Sequence, residues 1–141
     1  IEDVINMVTP QAIKKNIIIN FIDEGSKYLI GDSDKFFQMI LNLVENAVKY
    51  SEAEKKVTIR TYDEEEHIFV EVEDKGIGIP EDEIARIFER FYVVDKSRAK
   101  KGTGLGLAIV KHIVKMFNGE IFVESKLGIG SKFIVKIKRN V

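Results

Sequence analysis

Cysteine is absent from this chain of 141 residues, which excludes disulfides and thiolate metal sites and leaves the redox compartment undetermined. Proline occurs only twice, and no Pro/Gly-rich linker, internal repeat or low-complexity tract breaks the chain. No apolar run approaches the roughly 18 residues of a membrane helix, and no signal peptide stands at the start. Charge of one sign is lacking too: the net charge is −1, so nothing in the balance argues for nucleic acid or an anionic membrane surface. What remains is an ordinary globule, 45% hydrophobic and 32% charged. Its length suits one domain, 1–141, able to bury about two-thirds of its unfolded surface. The first residue is Ile1 rather than Met, so a piece of something longer is expected.

Hydrophobic spacing sets out the elements. Ile1, Val4, Ile5, Val8, Ala12 and Ile13 fit a helix, with a break or restart expected at Thr9-Pro10. Ile17–Ile22 and Tyr28–Ile30 read as β-branched strands around the turn Asp23–Ser26. Ser33–Tyr50 is the longest predicted helix. Val57–Tyr62 and Ile68–Glu73 alternate as paired strands around the acidic turn Asp63–Glu66. Pro80, with Glu81, Asp82 and Glu83 behind it, is a good helix start. Residues 89–103 are polar, basic and unpatterned. Leu105–Phe117 is helical again and ends at Asn118-Gly119, and Ile121–Ser125 with Lys132–Lys138 form a closing hairpin around Gly128 and Gly130. Helices set between paired strands predict an α+β fold, a two-layer sandwich. The repeated βαβ units of a doubly wound sheet are not visible.

On a helical wheel of ~100° per residue, Phe36, Phe37, Ile40, Leu41, Val44, Ala47 and Val48 share one side of Ser33–Tyr50. Lys35, Gln38, Asn42, Glu45, Asn46 and Lys49 share the other. A solvated face is the ordinary explanation for such a stripe. Asparagine is nevertheless a weak helix former that competes for backbone hydrogen bonds, and here two stand one turn apart. Amide oxygens at that spacing can bind a hard cation, and Lys49 beside them can meet a phosphate.

Two glycine segments supply what the stripe lacks. In Asp74-Lys75-Gly76-Ile77-Gly78-Ile79-Pro80, at a strand end, the carboxylate of Asp74 can accept from an exocyclic amine such as that of adenine. Gly76 and Gly78 let the backbone approach a flat ligand. Gly102-Thr103-Gly104-Leu105-Gly106-Leu107 runs into a helix, where free amides form a phosphate cradle. No strand precedes it, so the dinucleotide fingerprint is rejected. Either segment alone could be a plain loop or a flexible helix start. Together with the stripe they describe a base contact, a metal–phosphate shelf and an anion cradle.

In order and spacing, Asn42–Tyr50 (NLVENAVKY), Asp74–Ile79 (DKGIGI), Phe88–Phe91 (FERF) and Gly102–Leu107 (GTGLGL) resemble the N, G1, F and G2 boxes of the catalytic ATP-binding domain of bacterial sensor histidine kinases. The resemblance covers nearly the whole chain. It implies a Bergerat-type ATP-binding fold, a mixed, mostly antiparallel sheet of about five strands covered on one face by about three helices. It implies that ATP and Mg²⁺ are the ligands, with Asn46 and Asn42 on the metal or phosphates, Lys49 on phosphate and Tyr50 near the base. Asp74 would take the adenine amino group, with Gly76, Gly78 and Ile79 against the ring. Gly102, Thr103, Gly104, Leu105, Gly106 and Leu107 would line the phosphate end. Residues 89–103 would be an ATP lid held to the body by Phe88 and Phe91. Val93 stands where such lids often carry arginine, and Lys101 where a second glycine is common. Lid contacts to phosphate therefore fall to Lys96, Arg98, Lys100 or Lys101.

Related ATPases of this superfamily place a water-activating glutamate four residues before the metal-binding asparagine. Asn42 occupies that position here, and an amide cannot act as a general base. Glu45 lies on the same stripe, offset in register, and stays a candidate to assist. Slow hydrolysis and transfer to a better nucleophile are therefore expected. Neither His67 nor His112 stands in a context resembling the family's acceptor histidine. The resemblance places the acceptor on dimerisation helices before residue 1, with residues 1–15 leading in from them. It implies a homodimeric parent, a response-regulator receiver domain as partner, and a cytoplasmic domain without membrane contact of its own, whether or not the parent is tethered to the cell membrane. A serine kinase of the anti-sigma-factor type and a transfer-inactive nucleotide-binding scaffold are the competing readings.

Overall fold

The computed structural model describes residues 1–25, 31–90, 92 and 105–139. The chain runs α1 (Glu2–Lys14), β1 (Ile18–Glu24), α2 (Ser33–Tyr50), β2 (Lys56–Glu64), β3 (His67–Asp74), a short 3-10 turn (Glu81–Arg86), α3 (Gly106–Met116), β4 (Glu120–Lys126) and β5 (Gly130–Lys138). The predicted strand Tyr28–Ile30 falls outside the described residues.

The five strands form one sheet in the order β1-β2-β3-β5-β4. β2–β3, β3–β5 and β5–β4 pair antiparallel, and β1–β2 pair parallel. The expected mixed α+β sandwich is what the chain adopts. Its parallel pair was not legible in advance: β1 and β2 are joined through α2, one βαβ crossover in a sheet otherwise built of antiparallel pairs. Alternation turns Val57, Ile59, Val70, Val72, Phe133, Val135 and Ile137 into a core shared with residues of all three α-helices. Arg60, Tyr62, Phe69 and Lys136 occupy the alternating positions of β2, β3 and β5 and remain at least partly exposed.

The expected break at Thr9-Pro10 does not occur, and α1 is continuous through Pro10. An interior proline costs about 3 kcal/mol. Val4 and Val8 are 1% and 0% exposed, and burying each contributes roughly 1.5–3 kcal/mol, so packing outweighs the lost backbone bond. The Thr9 hydroxyl also donates to the Ile5 carbonyl at 2.6 Å.

Asp32 caps α2, its carboxylate accepting from the amides of Asp34 (2.9 Å) and Lys35 (3.2 Å). The buried set of α2 differs from the one-sided wheel. Met39 and Leu43 are fully buried with Ile40, Val44, Ala47 and Val48, whereas Phe36, Phe37 and Leu41 are half-buried. The reason is tertiary. α2 touches α1, α3 and the sheet at once, so its apolar arc is wider than a helix lying on a single layer needs.

α1 and α3 both end on left-handed asparagines, Asn16 (φ 54°) and Asn118 (φ 55°). In each the residue after the asparagine donates five residues back, Ile17 to Ala12 and Gly119 to Val114, both at 2.9 Å. The Pro80 segment does start with its acidic residues in the first turn, but it stops after six residues as a 3-10 helix with none of them buried.

Candidate functional site

The last turn of α2 and the loop after β3 meet. Ser51, which closes α2, forms an isolated antiparallel bridge with Gly76. That contact brings Lys49 and Tyr50 to the loop that starts at Asp74. A Cβ at Gly76 would collide with the Tyr50 carbonyl, and one at Gly78, which holds φ 74°, with the Lys126 carbonyl. The glycines are thus required by close backbone packing against α2 and the β4–β5 turn. That is a different reason from the ligand approach read in the sequence.

Asp74 ends β3 and is 3% exposed. Its carboxylate accepts from the Gly76 amide at 2.9 Å and from the backbone of Ser131. Burial pushes its pKa up to about 6, against the pull of those two amides toward the charged form. A buried acceptor of this kind holds one donor-bearing ligand group well.

Behind Asp74 lies a hydroxyl pair that pattern reading missed. Ser125 Oγ accepts from the Ile79 amide at 2.8 Å and donates to the Gly130 carbonyl at 3.1 Å, and it stands 2.7 Å from Ser131 Oγ. Ser125 and Ser131 are cross-strand partners on β4 and β5, and Ser131 is opposite Asp74 on β3. The Gly128 amide also donates to the Ile77 carbonyl at 2.8 Å. The hairpin therefore braces the whole Asp74–Ile79 loop. The only sequence signal was that strand pairing must put a residue beside Asp74, and the register needed for that comes from the fold.

On α2, Asn42, Glu45, Asn46 and Lys49 are all half-buried rather than freely solvated. The Nδ2 of Asn42 is shut away from solvent with no partner among the described residues, an arrangement that costs about 1–3 kcal/mol when nothing meets it. Desolvation lowers the pKa of Lys49, and no ion pair reaches it among the described residues; its Nζ lies 5.1 Å from the centre of the Tyr50 ring. These groups fit a phosphate with its metal: the Asn42 amide N–H without a partner among the described residues can donate to a phosphate oxygen, a second amide stands one turn on, and Lys49 is a cation with no ion pair among those residues. No cluster of three or more carboxylate, histidine or cysteine groups suited to a metal occurs among the described residues, so a metal here would rely on amide and phosphate oxygens.

α3 begins at Gly106 with no side-chain cap from its N-cap residue Leu105 and no acid in its first turn, which suits an anion. Leu105, Gly106 and Leu107 are described there, and a Cβ at Gly106 would meet open space. Phe91, Arg98, Gly102, Thr103 and Gly104, with Lys96, Lys100 and Lys101, lie outside the described residues. Phe88 does pack onto the body, edge-on to Phe133 at 6.4 Å, with Lys111 over its ring. Tyr92 folds back on the 3-10 turn, its hydroxyl donating to Glu83 and its ring under Arg86. His112 is exposed on α3 and His67 half-buried at the start of β3.

Residues 31–141 match the family described as histidine kinase-, DNA gyrase B-, and HSP90-like ATPase. The chain belongs to that family. Sensor histidine kinase WalK of Bacillus subtilis is 44% identical over 117 residues, covering 80% of this chain and 19% of that protein. The chain thus spans about a fifth of the length of such relatives. Among solved structures, full-length ShkA in complex with AMPPNP superposes with a TM-score of 0.86 at 30% identity, over 99% of this chain and 30% of that one. The nucleotide-free catalytic domain of histidine kinase ThkA gives 0.85 at 28%, over 98% of this chain and 89% of that one. Family and fold together make this an ATP-binding domain of the histidine-kinase type, with the mixed five-stranded sheet of that class.

Proposed function

We infer that the chain binds Mg–ATP and delivers its γ-phosphate to a histidine on a separate dimerisation domain, for relay to a response regulator. The observation that carries this is the Ser51–Gly76 bridge. It joins the helix bearing Asn42, Asn46 and Lys49 to the loop bearing Asp74, so the groups proposed for phosphate and for base stand on adjoining elements. Asp74 accepts from the adenine amine, with Ile79 and Tyr50 beside the ring. Asn46 and Asn42 hold Mg²⁺ through their amide oxygens, and Lys49 meets phosphate. The α3 amides receive the anionic end. Bound magnesium neutralises charge that builds on the transferring phosphoryl group. Because Asn42 cannot take a proton from water, the nucleotide waits for the acceptor.

On this reading the chain is one catalytic domain, and residues 1–15 lead in from the dimerisation helices. ShkA, whose structure holds AMPPNP, supports the ligand class, and the kinase relatives support the acceptor. The test is to mix the chain, Mg–ATP and a histidine-bearing helical hairpin from a sensor kinase. Acid-labile phosphate should appear on the hairpin. Acid-stable phosphate on serine would sink the histidine assignment. In the same assay Asn46→Ala should abolish Mg-dependent ATP binding; unchanged affinity with magnesium present would remove that residue from the metal site.

A further inference from the structure

Lys15 reaches from the end of α1 to the end of α2. Its Nζ donates to the carbonyls of Val48 (2.9 Å), Lys49 (2.9 Å) and Ser51 (2.6 Å). An ammonium carries three donors, and here each meets a carbonyl of one helical terminus. The last carbonyls of any helix lack intrahelical partners and carry the negative end of its dipole. α1 and α3 satisfy theirs with the left-handed asparagines Asn16 and Asn118. α2 does not: its closing residue, Ser51, is extended (φ −70°, ψ 145°), because the chain must leave at once to form the bridge with Gly76. A left-handed cap would turn the backbone away from that loop. The lysine of another helix supplies the missing donors instead.

Lys15 is itself held in place. Its backbone lies in the closing turn of α1, its amide donating to Ala12 at 3.1 Å and its carbonyl accepting from Glu54 at 3.0 Å. The ammonium therefore sits on a fixed base, and the turn it grips carries Lys49 and Tyr50.

We propose that Lys15 is a positioning residue for nucleotide binding: it clasps the last turn of α2 to α1, and so sets where Lys49 and Tyr50 stand relative to the Asp74 loop. The proposal rests on the nucleotide site argued above and adds to it a residue that touches no ligand. A displacement of α1 against α2 reaches the turn carrying Lys49 and Tyr50 through this clasp as well as through the packed core.

The test measures Mg–AMPPNP affinity by calorimetry on the 141-residue chain, with Lys15→Met and Lys15→Arg, and with Val8→Ala as the control. Val8 packs α1 into the core but donates to nothing on α2, so Val8→Ala lowers thermal stability while leaving the carbonyls gripped. Lys15→Met is expected to weaken the nucleotide about tenfold and to shift the free-state amide signals of residues 49–51 and 76. Val8→Ala is expected to stay within about twofold of wild type, and Lys15→Arg to recover part of the loss. If Lys15→Met does not fold, Lys15→Gln replaces it in the same comparison. A loss no larger than that of Val8→Ala at matched stability overturns the proposal. Wild-type chain that does not bind Mg–AMPPNP at all overturns the nucleotide reading itself, and the two failures are told apart by that one titration.

Discussion

At the scale of single residues, the buried carboxylate of Asp74 has the most to say about pH. Its pKa stands at about 6 in the folded chain against 3.8 for the free group, burial being the largest cause. The folded state therefore keeps this proton over a range where the unfolded state has lost it. The stability the group contributes is complete below about pH 4 and is lost as pH rises through about 6, a swing of up to about 3 kcal/mol. Asp74→Asn should accordingly raise the urea midpoint of the ligand-free chain at pH 7.5, with the gain vanishing near pH 4. The same substitution should lose preference for adenine over guanine nucleotides, because an amide can present either a donor or an acceptor. Nucleotide affinity of the wild type should decline below about pH 6, where the acceptor becomes protonated. If Asp74→Asn shows the same decline, the titrating group lies elsewhere. An acid whose charged form is penalised by burial is a candidate recognition residue.

At the scale of elements, the β4–β5 hairpin and α2 carry opposite kinds of constraint. The hairpin braces the Asp74 loop through Ser125, which accepts from Ile79 and pairs with Ser131. Removing that hydroxyl in Ser125→Ala leaves the Ile79 amide without its partner and should cost about 1–3 kcal/mol, with faster hydrogen exchange at residues 76–79 as the measurement. An unchanged exchange pattern would show that backbone packing of Gly78 against Lys126 suffices. α2 depends on volume instead. Leu43 is fully buried where α2 meets its neighbours, and Leu43→Ala should lower unfolding free energy by about 2–5 kcal/mol in a denaturant melt. The one-sided wheel left Leu43 off its apolar face, so a cost within about 0.5 kcal/mol, usual for surface substitutions, would favour the wheel over the packing described. Some element boundaries were readable because caps and turns are local: Asn118 and the acidic tip of the β2–β3 hairpin each act within a few residues.

At the scale of the whole molecule, an ATP-binding domain with an amide, Asn42, where related ATPases place their general base is expected to hydrolyse slowly. Phosphate release by the chain alone should stay near background with Mg–ATP, even while Mg–AMPPNP at ~100 times its dissociation constant raises the melting temperature by roughly 5–10 °C. Steady turnover by the isolated chain would assign Glu45 or a lid group the role of general base. The sheet order allows this division of labour. β3 is central, so Asp74 is fixed at its end by neighbours on both sides, while Asn42, Asn46 and Lys49, the groups proposed for phosphate and metal, sit on α2. No described helix is long and apolar enough to cross a membrane.

The sequence by itself determined most of the described elements and the α+β class, and it named the candidate polar groups, because periodicity, caps and turn residues act over a few positions. It could show that Asn42, Asn46 and Lys49 share a stripe and that Asp74 ends a strand. Only the tertiary structure decided that Ser51 meets Gly76, that Ser125 and Ser131 stand behind Asp74, and that Lys15 grips the end of α2. Each of these joins residues far apart in the chain, and such contacts depend on strand order, register and helix docking. Those are set by which apolar faces can be buried together, a property of the packed molecule that no window of neighbouring residues contains. The same reason explains why Pro10 failed to break α1: local preference favoured a break, and the burial of Val4 and Val8 outweighed it.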